Sequence, residues 1–388
     1  MFCRVSHTLM RRTAQCLSTA NASGFGICFE LSEQQTEVRD LARRFAKEKI
    51  APAAADLDRA MEFPNELFKE AWGLGLVNMH IPRGYGGLGA SCVEGVLVQE
   101  ELAWGCSGVS TTFESNSLAE APLIIAGNDA QKKSFLGRML EEPLKAACCV
   151  KEPVTGPDAA GIKTFARKKG DAYVVNGQKM WITNGGVANW YFLLANSDEG
   201  FVGFVLDANS PGITPGKKET NMGQRCCDTR AILFEDVVIP AANLLGRPGD
   251  GLKIAMRAFD FTRPLVSISA VGVGRRAMEE AQDYSNQYKL MGKHVSEHQS
   301  VAFMLADMAA GLEAIRLLVY RAAWEVDQGS GNTFYASSAK MLASDYCEKC
   351  VANAVRIFGE NGFNTGYPVE KLYRDAKIIS IYEETSQI

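Results

Sequence analysis

Three textures follow one another along this chain, and their order is what most narrows the fold. From about Ser32 to Leu144, apolar residues recur at helical spacing, as in Val38, Leu41, Ala42, Phe45, Ala46 and Ile50, with breaks expected at Pro52, Pro64, Pro82, Pro122 and Pro143. From about Cys148 to Gly251 the runs shorten and become β-rich. Tyr173-Val174-Val175 and Met180-Trp181-Ile182-Thr183 flank Asn176-Gly177, which predicts a hairpin, and further strands are expected over 191–195, 203–206 and 231–234. After Pro264 no proline occurs until Pro368, and Val301, Leu305, Met308, Leu312, Ile315 and Val319 mark long helices. A doubly wound nucleotide-binding sheet needs alternating βα units, so this helix, sheet, helix order disfavours one. Gly272-Val273-Gly274 within a helical pattern therefore reads as close helix packing rather than a phosphate loop. The sequence shows no internal repeat and no flexible linker, so the blocks are expected to pack together as an α+β protein.

Charge and cysteine usage remove several function classes. The formal net charge of −4 offers no basic surface for a nucleic acid, and no apolar run reaches the roughly 18 residues of a membrane span. Eleven scattered cysteines fit a reducing compartment. Cys347 and Cys350 form a Cys-x-x-Cys in a helical stretch, but the four histidines supply no second ligand pair at zinc spacing, so core or surface thiols are favoured over a metal site. Residues 1–28 contain Arg4, Arg11 and Arg12 among hydroxyl residues and no acid before Glu30, the composition of a mitochondrial transit peptide. Its removal takes the net charge from −4 to −7, giving an acidic matrix protein. The expected organisation is a transit peptide over 1–28, a helical domain over 29–147, a β domain over 148–256 and a second helical domain over 257–388.

Five separated segments carry a resemblance: Lys179 to Gly185 (KMWITNG), Asn221 to Arg225 (NMGQR), Phe259 to Pro264 (FDFTRP), Glu297 to Gln299 (EHQ) and Tyr382 to Gln387 (YEETSQ). In these segments, and collinearly from about Phe29 onwards, the chain resembles the acyl-CoA dehydrogenases, most closely the medium-chain mitochondrial group. The resemblance implies an N-terminal helical domain, a middle β-barrel or sandwich and a C-terminal helical bundle. It also implies FAD bound between the β and C-terminal domains, and oxidation of a medium-chain fatty acyl-CoA to the trans-2-enoyl-CoA in mitochondrial β-oxidation. Electrons would pass to electron-transfer flavoprotein from a homotetramer, whose chains continue with another helical segment beyond the position of Ile388.

Forming a double bond beside a thioester needs a base for the α-proton and an acceptor for the β-hydride, and no side chain can be the acceptor. The family's base falls on Glu383, after the apolar-rich run Ile378 to Tyr382; read locally, it is a surface acid near a helix end. Similar positions place Trp181, Ile182 and Thr183 against the flavin, although without the family this is a strand in a hairpin core. Val150 and Gly156 match the upstream flavin loop, and His298 and Gln299 match a helical-domain segment that touches FAD, against a plain capping role. Asn361 and Gly362 match a loop that reaches the cofactor of a neighbouring subunit, and Thr385 and Gln387 match cofactor contacts beside the base. Asp260, Thr262 and Arg263 match the segment that meets CoA and orders the base loop, against a plain Asp–Arg ion pair. Glu114 matches an acid that floors the acyl cavity, which by resemblance limits chains to roughly C6–C12; a carboxylate there resists burying more methylenes.

Several positions depart from the family pattern. Lys151 stands where a hydroxyl residue is expected and cannot accept a hydrogen bond, and Pro157 lacks both a hydroxyl and an amide N–H. Tyr288 and Leu290 fall in a stretch that replaces an Arg and a Thr that hold the pyrophosphate, and Arg356 and Glu360 replace a Gln and a Gly. Glu384 replaces the Gly after the base, which brings a second carboxylate beside Glu383. Two readings follow: a working FAD-dependent dehydrogenase, or a cofactor-poor relative that keeps the fold as a binding or interaction protein.

Overall fold

The computed structural model describes residues 29–155, 161–330, 332–383 and 385–386. The expected transit peptide, Gly156, Pro157, Glu384 and Gln387 lie outside them. The chain divides into two units, Met1–Thr36 and Glu37–Ile388. In the first, Ser32 and Gln35 cap each other reciprocally, the Gln35 N–H to Ser32 Oγ at 3.2 Å and the Ser32 N–H to Gln35 Oε1 at 2.9 Å.

The N-terminal helices are α1 (Glu33–Phe45), α2 (Ala51–Ala60), α3 (Asn65–Gly73), α4 (Cys92–Gly105), α5 (Ser107–Ala126) and α6 (Asp129–Glu141). Two of the expected proline breaks do not occur. Pro52 lies just after a π turn over Ala46–Ile50 that joins α1 to α2 without a gap, so the irregular turn falls where the proline would otherwise interrupt the helix. Pro122 lies inside α5 but one turn from its end, so only a late hydrogen bond is lost.

The middle block holds β1 (Ala146–Cys149), β2 (Phe165–Lys169), β3 (Ala172–Ile182), β4 (Trp190–Ala195), β5 (Val202–Asp207), β6 (Ile213–Lys218), β7 (Arg230–Pro240) and β8 (Leu244–Leu245). They form two four-stranded sheets, β1-β4-β5-β8 and β2-β3-β7-β6, with β1 parallel to β4. The sheets share a core that includes Tyr173, Val175, Tyr191, Phe204 and Phe234, so the block is a sandwich. It is not the closed barrel that was one expectation; each sheet keeps its edges. The outer face of β4 packs Trp190, Phe192 and Leu194 against Phe135 and Met139 of α6, which explains its unbroken apolar run.

The expected hairpin at Asn176-Gly177 is instead one continuous strand, β3, paired with β7 through a register shift between Val175 and Gly177. Asn176 exchanges hydrogen bonds with Asp236 of β7 at 2.9 and 3.0 Å, which satisfies the bulged backbone across the sheet rather than in a turn. Gly177 is needed because a Cβ there would lie 2.5 Å from Thr164 Oγ1.

The C-terminal block is built on α7 (Gly251–Gln287), α8 (Gln299–Asp327), α9 (Thr333–Phe358) and α10 (Pro368–Ile379), with a two-stranded ribbon of β9 (Lys289–Leu290) and β10 (Lys293–His294) between α7 and α8. The 37-residue α7 opens at Gly251, ahead of the expected boundary at 257, and runs through Pro264. Gly272 and Gly274 serve helix packing: a Cβ at Gly272 would lie 2.4 Å from the Glu100 carbonyl of α4, and one at Gly274 would lie 2.7 Å from Leu312 of α8. Cys347 and Cys350 are buried thiols on α9 within the core of this block. No helix among the described residues is long and apolar enough to cross a membrane.

Candidate active site

A cavity of about 370 Å³ opens where the three blocks meet. Its walls come from Thr111, Ser115 and Leu118 of α5, the stretch after β1 with Val150, Lys151 and Thr155, and the end of β3 with Trp181 and Ile182, followed by Thr183. The 221–229 loop, Phe259 of α7 and the turn after α10 with Tyr382 and Glu383 complete it. Five expected residues therefore line one space: Val150, Trp181, Ile182, Thr183 and Glu383.

A second register shift, between Lys179 and Ile182, brings Trp181 there. Trp181 adopts a positive φ of 62°, which turns its side chain out of the sandwich and leaves it 55% exposed, while Ile182 returns to the core. The loop leading away from Val150 is held by a buried ion pair. Lys179 Nζ donates to Glu152 Oε1 and to the Val150 carbonyl, both at 2.9 Å, and Glu152 also accepts the N–H groups of Lys163 and Thr164. Burial of the pair is compensated because every contact is charge-assisted.

Glu383 follows the last turn of α10 with φ 48°, in the left-handed region that a non-glycine residue seldom adopts. Thr262 Oγ1 donates to its Oε1 at 3.0 Å, and among the described residues Oε2 is buried with no hydrogen-bond partner. Burial raises the Glu383 carboxyl to about 7, against the opposing effects of the Thr262 hydrogen bond and the positive charges of Arg263, Lys151 and Lys340. Tyr382 lines the same wall as Thr111 and Gln224, and burial raises its hydroxyl. Asp375 of α10 accepts the Gln224 N–H at 2.6 Å and the Ser107 hydroxyl at 3.0 Å, which ties the cavity loop and α5 to the helix that carries Glu383.

The remaining expected residues occupy different places. Asp260 and Arg263 form the ion pair that their spacing on α7 allows, at 3.1 Å, with Arg263 nearly buried. Glu114 is buried beside a small cavity of about 10 Å³, where Gln99 donates to Oε2 at 2.5 Å and Oε1 has no partner among the described residues. Burial and the charge of Glu383 push the Glu114 carboxyl well above the usual range. His298 precedes α8 and places Nε2 3.1 Å from the Leu290 carbonyl, while Gln299 is exposed at the helix start. Asn361 donates to the Tyr284 hydroxyl at 3.0 Å, and Gly362 fits a turn in which a Cβ would meet the Val355 carbonyl at 2.2 Å. None of these four lines the cavity. Thr385 is half-buried just beyond the base turn. Of the departures, Tyr288 stacks on Tyr284 with ring centroids 4.1 Å apart, and Leu290 and Glu360 are exposed.

The sequence reading missed Thr111, Ser115 and Gln224 as wall residues, and Lys340 as a charge acting on the base. Tyr382 could have been found from its place beside Glu383; Lys340, on another helix, carries no local signal.

Comparison with known proteins agrees with this arrangement. Sequence models of the acyl-CoA dehydrogenase N-terminal, middle and C-terminal domains match residues 32–143, 147–237 and 249–388. A Caenorhabditis briggsae protein named "Probable medium-chain specific acyl-CoA dehydrogenase 2, mitochondrial" is 46% identical, covering 100% of this chain and 95% of its own length. The structure of butyryl-CoA dehydrogenase from Megasphaera elsdenii superposes with a TM-score of 0.91 at 38% identity, covering 93% of this chain and 97% of that one. A glutaryl-CoA dehydrogenase from Mycobacterium smegmatis in complex with FADH2 gives a TM-score of 0.88 at 25% identity, with 92% of each chain covered. With all three domains matched in order around one cavity, the chain belongs to the acyl-CoA dehydrogenase family of oxidoreductases.

Proposed function

We propose that this protein is an FAD-dependent dehydrogenase that converts medium-chain fatty acyl-CoA to trans-2-enoyl-CoA, with Glu383 as the base. The observation that carries this reading is the Glu383 carboxylate in the wall of the central cavity, with one oxygen held by Thr262 and the other buried without a partner among the described residues. A carboxyl raised to about 7 is a stronger base than an ordinary glutamate and is still substantially ionised at neutral pH.

The residues present fit a flavin ring. Trp181 is left half-exposed beside the cavity, Val150, Ile162 and Ile182 form an apolar wall, and Thr155 and Thr183 add hydroxyl groups. These residues would hold the ring, with Thr385 and the partly exposed His298 and Asn361 segments serving other parts of the cofactor. Bound there, the flavin supplies the hydride acceptor that side chains lack. Glu383 would take the α-proton at Oε2, while Thr262 keeps Oε1 oriented and the apolar walls exclude water. Asp260, Thr262 and Arg263 would order the base turn, and Glu114 would limit acyl length from its buried place on α5. Further elements of the reading are transfer of electrons to electron-transfer flavoprotein, assembly as a homotetramer and location in the mitochondrial matrix. The name of the Caenorhabditis briggsae relative and the composition of residues 1–28 support the location, and the other two rest on the family resemblance.

The test is the visible spectrum of the purified protein before and after anaerobic addition of octanoyl-CoA. A flavin band that bleaches, faster with octanoyl-CoA than with butyryl- or palmitoyl-CoA, is expected. A protein that takes up no FAD would instead be the cofactor-poor relative, a reading that the presence of Lys151 in the cavity wall favours.

A further inference from the structure

Among the described residues, only two charged side chains line the central cavity, Lys151 and Glu383. They reach it from separate parts of the chain, one after β1 and the other after α10. The backbone around Lys151 is fixed on both sides. Its own carbonyl accepts the Met180 N–H at 2.9 Å, the preceding carbonyl of Val150 accepts Lys179 Nζ, and the following side chain, Glu152, is locked by Lys179, Lys163 and Thr164. This anchoring sets a cation into a wall whose other described residues are apolar or neutral apart from the base.

We propose that Lys151 is a positioning residue that favours the ionised form of Glu383 and so sets the acid limit of the pH range in which the base works. This rests on reading Glu383 as the base.

Other groups face Glu383 from each element packed around it. From α7 come the Thr262 hydroxyl and Arg263, whose charge is partly offset by Asp260 at 3.1 Å. From α9 comes Lys340, which is nearly buried. Cys148 of β1 is a thiol held up at about 12 by burial and by the Glu383 charge, the Glu114 carboxyl of α5 is pushed well above the usual range by burial and the same charge, and Tyr382 adjoins the base on its own turn. Of the cations named here, Lys151 is the one that lines the cavity. An acyl chain that fills the cavity displaces water from between Lys151 and Glu383, and the attraction between them strengthens as the local dielectric falls. The family pattern has a hydroxyl residue at this position, so the charge is a feature of this chain rather than of the resemblance.

The experiment is an infrared titration of the Glu383 carboxyl in the full-length protein, with its band assigned by loss in Glu383→Gln, alongside the pH dependence of flavin reduction by octanoyl-CoA. Lys151→Met and Lys151→Thr are expected to raise the Glu383 pKa by about one unit and to move the acid limb of the rate profile upward by the same amount. Lys151→Arg is expected to restore both. An unshifted carboxyl band in folded Lys151→Met, or in Lys151→Gln if the methionine variant does not fold, would overturn the proposal, as would failure of Lys151→Arg to restore the wild-type value. The two readings fail separately: if the carboxyl shifts as expected while octanoyl-CoA reduces no flavin in the wild type, the dehydrogenase assignment falls and the electrostatic one stands.

Discussion

Thr262 Oγ1 lies 3.0 Å from Glu383 Oε1, across the gap between α7 and the turn after α10. The hydrogen bond favours the ionised carboxylate and opposes the rise that burial causes. Thr262→Ala is therefore expected to raise the base pKa by about half to one unit and to lower kcat several-fold, since the carboxylate also loses its orientation. The pH profile of flavin reduction checks the first effect, and kcat at high pH, where the base is ionised in either protein, isolates the second.

Replacing the base gives a sharper separation. Glu383→Gln keeps the shape of the side chain and the Thr262 contact but cannot accept a proton, so reduction of flavin by octanoyl-CoA is expected to fall by at least about 10²–10⁴-fold. Acyl-CoA binding, measured by calorimetry, is expected to change little. Turnover near the wild-type rate would remove Glu383 from its assigned role.

Glu120 is a buried acid that the proposed mechanism does not use. It is wholly buried on α5, neither carboxyl oxygen has a partner among the described residues, and burial raises it to about 8. A carboxyl whose folded-state pKa lies above its ordinary value of 4.5 stabilises the fold while protonated, and this contribution is lost as pH rises towards and through 8. Glu120→Gln is accordingly expected to match the wild type near pH 5 and to be more stable by about 2–4 kcal/mol at pH 9. Urea denaturation at the two pH values reads the difference.

The Lys179–Glu152 pair predicts the opposite behaviour for a loss of charge. Lys179→Met leaves Glu152 buried beside two backbone N–H groups but without its cation, and should destabilise the protein by about 3–5 kcal/mol. The same change frees the Val150 carbonyl from Lys179 Nζ, so weaker retention of flavin on gel filtration should accompany the lower Tm.

Gly223 tests how the cavity loop is docked. A Cβ there would lie 2.3 Å from the Arg374 carbonyl of α10, so Gly223→Ala must push the 221–224 loop away from the helix. A loss of about 1–3 kcal/mol in stability is expected. Because the Gln224 N–H is held by Asp375 of α10, the helix that leads into the base turn, that turn should loosen as well, visible as a lower kcat.

The sequence alone determined the succession of helical, sheet and helical blocks, because hydrophobic period is a local property that each segment carries with it. Val38 to Ile50 and Val301 to Val319 form helices, and Tyr191 to Ala195 forms a strand, as their spacing requires. The segments around Lys179, Phe259 and Tyr382 likewise carried the resemblance to the family without reference to a fold. Tertiary structure decided what local pattern leaves open. Asn176-Gly177 has the composition of a hairpin turn, yet it continues a strand because Asp236 and Thr164 lie against it. Trp181 has the apolar character of a core strand, yet a backbone register shift turns it to the cavity. Glu383 would be an ordinary surface acid at a helix end; the fold buries it, which raises the carboxyl, while Thr262, Arg263, Lys151 and Lys340 converge on it from three other parts of the chain and oppose that rise. Burial and electrostatic fields are sums over neighbours distant in sequence, and only the folded chain brings those neighbours together.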